Sequence, residues 1–78
     1  MQLEIITPDK KLFSGPIESV QLPGTQGSFG ILNNHAPIIS SLQKGTIKVV
    51  TDKKATEQFE INGGIIEMKE NKVVILAE

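Results

Sequence analysis

Apolar and polar residues alternate along this chain with a period of two, in short runs, which is the signature of half-buried strands rather than helices. Gln2–Thr7 sets Leu3 and Ile5 against Glu4 and Ile6, and Ile17–Leu22 puts Val20 and Leu22 on one face. Ser28–Leu32 is a further short strand. Thr46–Thr51 sets Ile47 and Val49 against Lys48 and Val50. Glu57–Asn62 and Ile65–Lys69 repeat the pattern with Phe59 and Ile61, then Ile66 and Met68. Lys72–Ala77 is apolar on both faces, as a central or partner-covered strand is. Turn residues separate these runs at Pro8-Asp9, Ser14-Gly15-Pro16, Pro23-Gly24, Asn33-Asn34, Lys44-Gly45, Asp52-Lys53-Lys54, Gly63-Gly64 and Glu70-Asn71. Strands at such spacing predict an all-β sandwich or barrel. Asn34–Gly45 is the exception. Asn34 as a cap, an early Pro37 and a closing Gly45 suit a short helix, while Ile38-Ile39 and the flanking strands suit an extended segment. Pattern alone leaves both open.

Composition supports the strand reading: eleven Ile, five Val and five Thr favour pleated structure. Several positions on the outward faces are apolar as well (Ile6, Val50, Ile65, Val73 and Ile75), which points to a surface covered by another protein. The chain has 78 residues and no cysteine. One domain of this size is marginal alone, and disulfides, thiolate metal sites and cysteine nucleophiles are excluded. A single histidine excludes an imidazole-rich metal site. The net charge is −1, and there is no Arg, Trp or Tyr, so neither a nucleic-acid field nor a base-stacking platform is present. The longest apolar run, Val73–Ala77, is too short to span a bilayer.

Candidate chemistry is sparse. Gly24–Gly30 is glycine-rich but has neither dinucleotide-binding nor P-loop spacing, so it reads as a turn that doubles as a contact loop. His35 has no second histidine or cysteine to join it, and no nucleophile elbow occurs; it reads as a loop-ordering or partner-contacting residue. Met68-Lys69 near a hairpin resembles the modified lysine of biotinyl and lipoyl carrier domains. Here no Met follows the lysine, no Ala precedes Met68, and the turn falls after them at Asn71. The carrier reading, with Lys69 modified, is the alternative to a partner-binding module. No cofactor, metal or small-molecule substrate is expected.

The order of motifs carries a sharper resemblance. Val20-Gln21-Leu22-Pro23-Gly24-Thr25-Gln26-Gly27-Ser28-Phe29-Gly30-Ile31-Leu32-Asn33-Asn34-His35-Ala36-Pro37-Ile38-Ile39 is similar to the signature of the epsilon subunit of rotary F-type ATP synthases. Phe13-Ser14-Gly15, Gly45-Thr46-Ile47, Asn62–Glu67 and Asn71–Ala77 fit on either side, so the likeness covers essentially all 78 residues. It implies a ten-stranded β-sandwich of two five-stranded sheets over residues 1–78, with Pro37–Leu42 extended. It also implies that the C-terminal helical hairpin usual in the family is absent here.

The function implied is a non-catalytic central-stalk subunit that binds the gamma subunit and the c-ring and couples proton-driven rotation to ATP synthesis. It would sit peripherally at the cytoplasmic face of a bacterial inner membrane. By motif position the c-ring contact is Thr25, Gln26, Gly27, Ser28, Asn33, Asn34 and His35. Family members often carry an acidic residue where Ser28 stands. The gamma contact is Thr7, Ile38, Ile39, Ser40, Asn62, Gly63, Gly64 and Ile65.

Overall fold

Three of the strands are far longer than the alternating runs suggest. A computed structural model describes residues 1–78. It contains β1 (Gln2–Ile6), β2 (Lys11–Gly24), β3 (Gly27–Leu32), β4 (Ile38–Thr51), β5 (Thr56–Lys69) and β6 (Lys72–Ala77). The sheet order is β1-β6-β5-β4-β2-β3, and β1 also pairs with β2. Five strands therefore close into a flattened ring, with β3 appended to β2. All pairings are antiparallel except β1 with β6.

The all-β sandwich stands, but it is built from six continuous strands rather than ten. β2, β4 and β5 each have 14 residues and pass from one layer to the other. The face they bury changes parity on the way. β2 buries Ile17 and then Val20 and Leu22; β4 buries Leu42 and then Ile47 and Val49; β5 buries Ile61 and then Ile66 and Met68. Between β2 and β4 the register shifts at Ile17/Ser19 and again at Gln21/Gly24, as bulges do when they bend a strand. In β5 the bend falls at Gly63 and Gly64, whose φ values are 142° and 152°. Those angles suit glycine alone. Hence Lys44-Gly45 and Gly63-Gly64, expected as turns between strands, are bends within them, and Asn34–Gly45 contains strand from Ile38 onward. Ser14-Gly15-Pro16 likewise lies inside β2, paired with β1.

The true turns are short. Glu70 and Asn71, both at positive φ, form a two-residue hairpin that matches strand twist. The core is a single cluster of 15 buried apolar residues with no buried polar side chain. Phe13 and Phe59 meet edge to face, ring centroids 6.0 Å apart, where the half-paired stretches of β2 and β5 approach each other.

On the outside, Glu4 ties three adjacent strands together. Its carboxylate pairs with Lys11 of β2 at 3.0 Å and Lys72 of β6 at 3.3 Å. The Lys11 contact, followed by that of Lys72, holds the Glu4 carboxyl below its ordinary value of 4.5. A depressed carboxylate adds stability above the unfolded pKa, and that contribution is lost as pH falls through the folded one. Denaturant midpoints at pH 7 and pH 3 are therefore expected to differ less for Glu4→Gln than for the unaltered chain. A Cβ at Gly64 would lie 3.0 Å from Ala77 Cα and closer still to the Leu76 carbonyl oxygen. Gly64→Ala, measured by urea unfolding, is expected to lose about 1–3 kcal/mol or more.

Candidate interaction surfaces

With no buried polar side chain, anything this domain does at a site it does on its surface. No group of three His, Asp or Glu residues converges to hold a metal ion. His35 turns back on its own loop: its Nδ1 lies 2.7 Å from the Ala36 carbonyl oxygen, and its backbone N–H donates to Leu32 O. A carbonyl can only accept, so Nδ1 carries the proton. Lys69 is the last residue of β5, opposite Lys72, and the hairpin tip is Glu70-Asn71. The lysine thus does not occupy the tip position that a carrier domain modifies.

The β2–β3 turn is tied to the start of β4. Thr25 N–H donates to Ser41 O at 3.2 Å, and Thr25–Ser28 line one side of a shallow polar cleft whose other side is Ile39, Ser40 and Ser41. A Cβ at Gly24 would stand 2.6 Å from Gly27 O and 2.7 Å from the Phe29 ring, so the backbone folds this tightly only without a side chain there. Gly27 completes the turn at φ 122°.

Asn33, Asn34 and His35 lie elsewhere. They follow β3 at its far end, roughly 20 Å along six residues of extended chain. There they meet the β5–β6 hairpin. Asn71 Nδ2 donates to Asn33 Oδ1 and Asn34 N–H donates to Asn71 Oδ1, each at 2.9 Å, while Gln2 N–H donates to Asn71 O. The single ring-facing patch expected from motif order is thus two sites at opposite ends of β3, because an extended strand separates them. Thr25–Ser28 instead neighbours Ile39 and Ser40, which the motif order had assigned to the other partner.

Of the second expected set, Ile39 and Ile65 lie on the outer face of the β1-β6-β5-β4 layer, while Ile38 and Ser40 stand opposite buried Met68 and Ile66. Register places Ile6, Leu76, Ile65 and Ser41 in one row, and Glu4, Val74, Glu67 and Ile39 in the next. Ile39 is 72% exposed, Leu76 55% and Ile65 51%. Thr7 and Leu76 share a shallow cleft beside this row. Ile38 is half-buried against the core, Gly63 is buried, and Asn62 N–H is taken by Glu78 O.

Two outward assignments fail: Val73 and Ile75 are fully buried, and the exposed apolar residue of that strand is Leu76. The apolar run alone left the parity of β6 open. The two-residue turn settles it, since it sets Val73 opposite Met68 and Ile75 opposite Ile66. Leu32, 68% exposed on the other layer, was also missed.

Comparison with known proteins gives these surfaces a context. Residues 1–78 match the family profile described as ATP synthase, Delta/Epsilon chain, beta-sandwich domain. The chain is 39% identical over 77 residues to an ATP synthase epsilon chain of Chlorobium limicola, covering 99% of this chain and 88% of the relative. It is 45% identical over 78 residues to that of Campylobacter curvus, covering 100% of this chain and 60% of the relative. Among solved structures it superposes with a TM-score of 0.90 and 21% identity on a chain of the Euglena gracilis mitochondrial ATP synthase OSCP/F1/c-ring assembly. The match covers 96% of this chain and 48% of that one. A chain of the Tetrahymena thermophila central stalk/c-ring structure matches with a TM-score of 0.82 and 19% identity, covering 99% and 62%.

The two ends of β3 are expected to respond independently. Asn71→Gly keeps the positive φ but removes both side-chain hydrogen bonds. It should speed exchange of the Asn34 amide and lower stability by about 1–2 kcal/mol, while amides of Thr25–Ser28 stay unchanged by NMR.

Proposed function

The chain belongs to the delta/epsilon β-sandwich family of ATP synthases, and from that premise we propose that it is a non-catalytic subunit of the central stalk. In this reading it binds the gamma subunit and the c-ring and couples ring rotation to ATP synthesis. It acts peripherally at the cytoplasmic face of a bacterial inner membrane. The observation that carries the gamma contact is the apolar outer row Ile6, Leu76 and Ile65, with Ile39 beside it, spread over four adjacent strands of one layer. The Ile6–Leu76–Ile65 row carries no charge, although Glu67 stands beside Ile39, and apolar area that excludes water is what a persistent interface uses. Thr7 lies at its border, Ser40 is half-buried opposite Ile66, and the bend at Gly63-Gly64 directly precedes Ile65.

The ring contact is assigned to the Thr25–Ser28 turn. It is uncharged and glycine-punctuated, so its backbone can approach a neighbouring loop closely. Asn33, Asn34 and His35, clasped by Asn71 at the other end of β3, reach the same partner only if it lies along the whole strand. A coupling role needs stiffness rather than reactive groups. The closed five-strand ring and the Glu4 clamp supply stiffness.

Co-purification with gamma tests the reading. Tagged chain should retain purified gamma, and Ile65→Ser or Leu76→Ser should each weaken retention by about tenfold. Gln58→Ala, on the opposite layer, should leave retention unchanged. Absence of any gamma retention by the unaltered chain would refute the stalk assignment.

A further inference from the structure

β3 is hydrogen-bonded to the rest of the sheet along one side only, its sole strand neighbour being β2. The other side presents a row of unpaired backbone N–H and C=O groups. Proteins guard such edges with charge, proline or bulges, because an unguarded edge pairs with any extended chain. Three other stretches are also paired on one side, and each has a guard. Lys11–Pro16 of β2 carries Lys11 and Pro16, and Thr56–Ile61 of β5 carries Glu57 and Glu60. Ile38–Ser41 of β4 follows Pro37, and its Ser41 carbonyl already accepts from Thr25. β3, Gly27-Ser28-Phe29-Gly30-Ile31-Leu32, has no charge and no proline, and its register with β2 is unbroken.

Its outward face is equally open. Leu32 stands across Ser19 from half-buried Val50, and a shallow hollow runs beside it over Gly30. A Cβ at Gly30 would meet only Val20 O at 3.8 Å, so the hollow is open above Gly30, with Gln21, Val50 and Lys48 along its far side.

We propose that the free edge of β3 is a strand-addition site for an extended, uncharged segment of a different polypeptide, with an apolar side chain that lies beside Leu32 over Gly30. Main-chain hydrogen bonds supply the attraction and the hollow supplies the side-chain preference, as in other cases of strand addition to a sheet edge. A second copy of this chain fits less well. With outer faces matched and overlap fullest, two antiparallel β3 strands set Leu32 opposite Ser28 and Gly30 opposite Gly30, so neither leucine gains an apolar partner. The site shares no residue with the Ile6–Leu76–Ile65 row and overlaps the ring-contact turn only at Gly27 and Ser28.

The probe is a blocked eight-residue peptide alternating threonine with valine and leucine, titrated into the isotope-labelled chain and followed by NMR. The expected result is movement of β3 amide signals, with exchange of those turned away from β2 slowed by about tenfold. N-methylation of alternate residues along one edge of the peptide should abolish the effect. Leu32→Lys and Ser28→Lys, both at exposed positions, should each weaken binding by about tenfold while leaving the core signals in place. No β3 response at millimolar peptide, or an equal response along Thr56–Ile61, overturns the proposal. So does concentration-dependent protection of β3 without peptide, which would identify a second copy as the occupant.

Discussion

One core has to serve both layers, and the rest of the fold depends on that constraint. A chain of 78 residues cannot fill two independent sheets with separate hydrophobic faces. Three strands therefore run through both layers and reverse which parity they bury as they cross. The reversal needs places where the backbone bends without losing its ladder, and Gly63-Gly64 and the bulges of β2 provide them. β1 then completes the ring by pairing antiparallel with β2 and parallel with β6. Glu4 stands at that closure, with a lysine from each neighbour on its carboxylate.

Most of the strand content was legible because alternation reports burial directly. Leu3, Ile5, Val20, Leu22, Ile47, Val49, Ile61, Ile66 and Met68 are all in the core where the pattern puts them. The pattern misleads at the crossings. A parity reversal looks like the end of one strand and the start of another, and glycine strengthens that impression. For the same reason Lys11–Pro16 went unread: Leu12 and Phe13 are only half-buried and Gly15-Pro16 reads as a turn. The surface was less legible still. Motif order ranks residues along the chain, but the grouping of Thr25–Ser28 with Ile39 and Ser40, and of Asn33-Asn34 with Asn71, follows from sheet order.

The surface divides its chemistry by location. One layer carries the apolar row across three strands with Ile39 beside it on the fourth, and the cleft of hydroxyls and backbone sits at the β2–β3 turn. The Asn71 clasp holds the opposite end of β3. Family membership is consistent with a part that touches several neighbours at once, and separate ends allow separate contacts. None of these features requires a reactive group, and the lone histidine is occupied by its own backbone.

The parallel pairing of β1 with β6 carries a kinetic meaning. Gln2 lies beside Lys72 and Ile6 beside Leu76, so the first and last strands of the sandwich are neighbours. Until β6 exists, β1 has only its edge on β2 to hold it, and Leu3 and Ile5 have lost the side of the core that Val73 and Ile75 provide. Contacts this distant along the chain are slow to form, because loop closure precedes any gain from burial. The barrel therefore stays open until β6 pairs with β1, and its closure is the most long-range step of the fold.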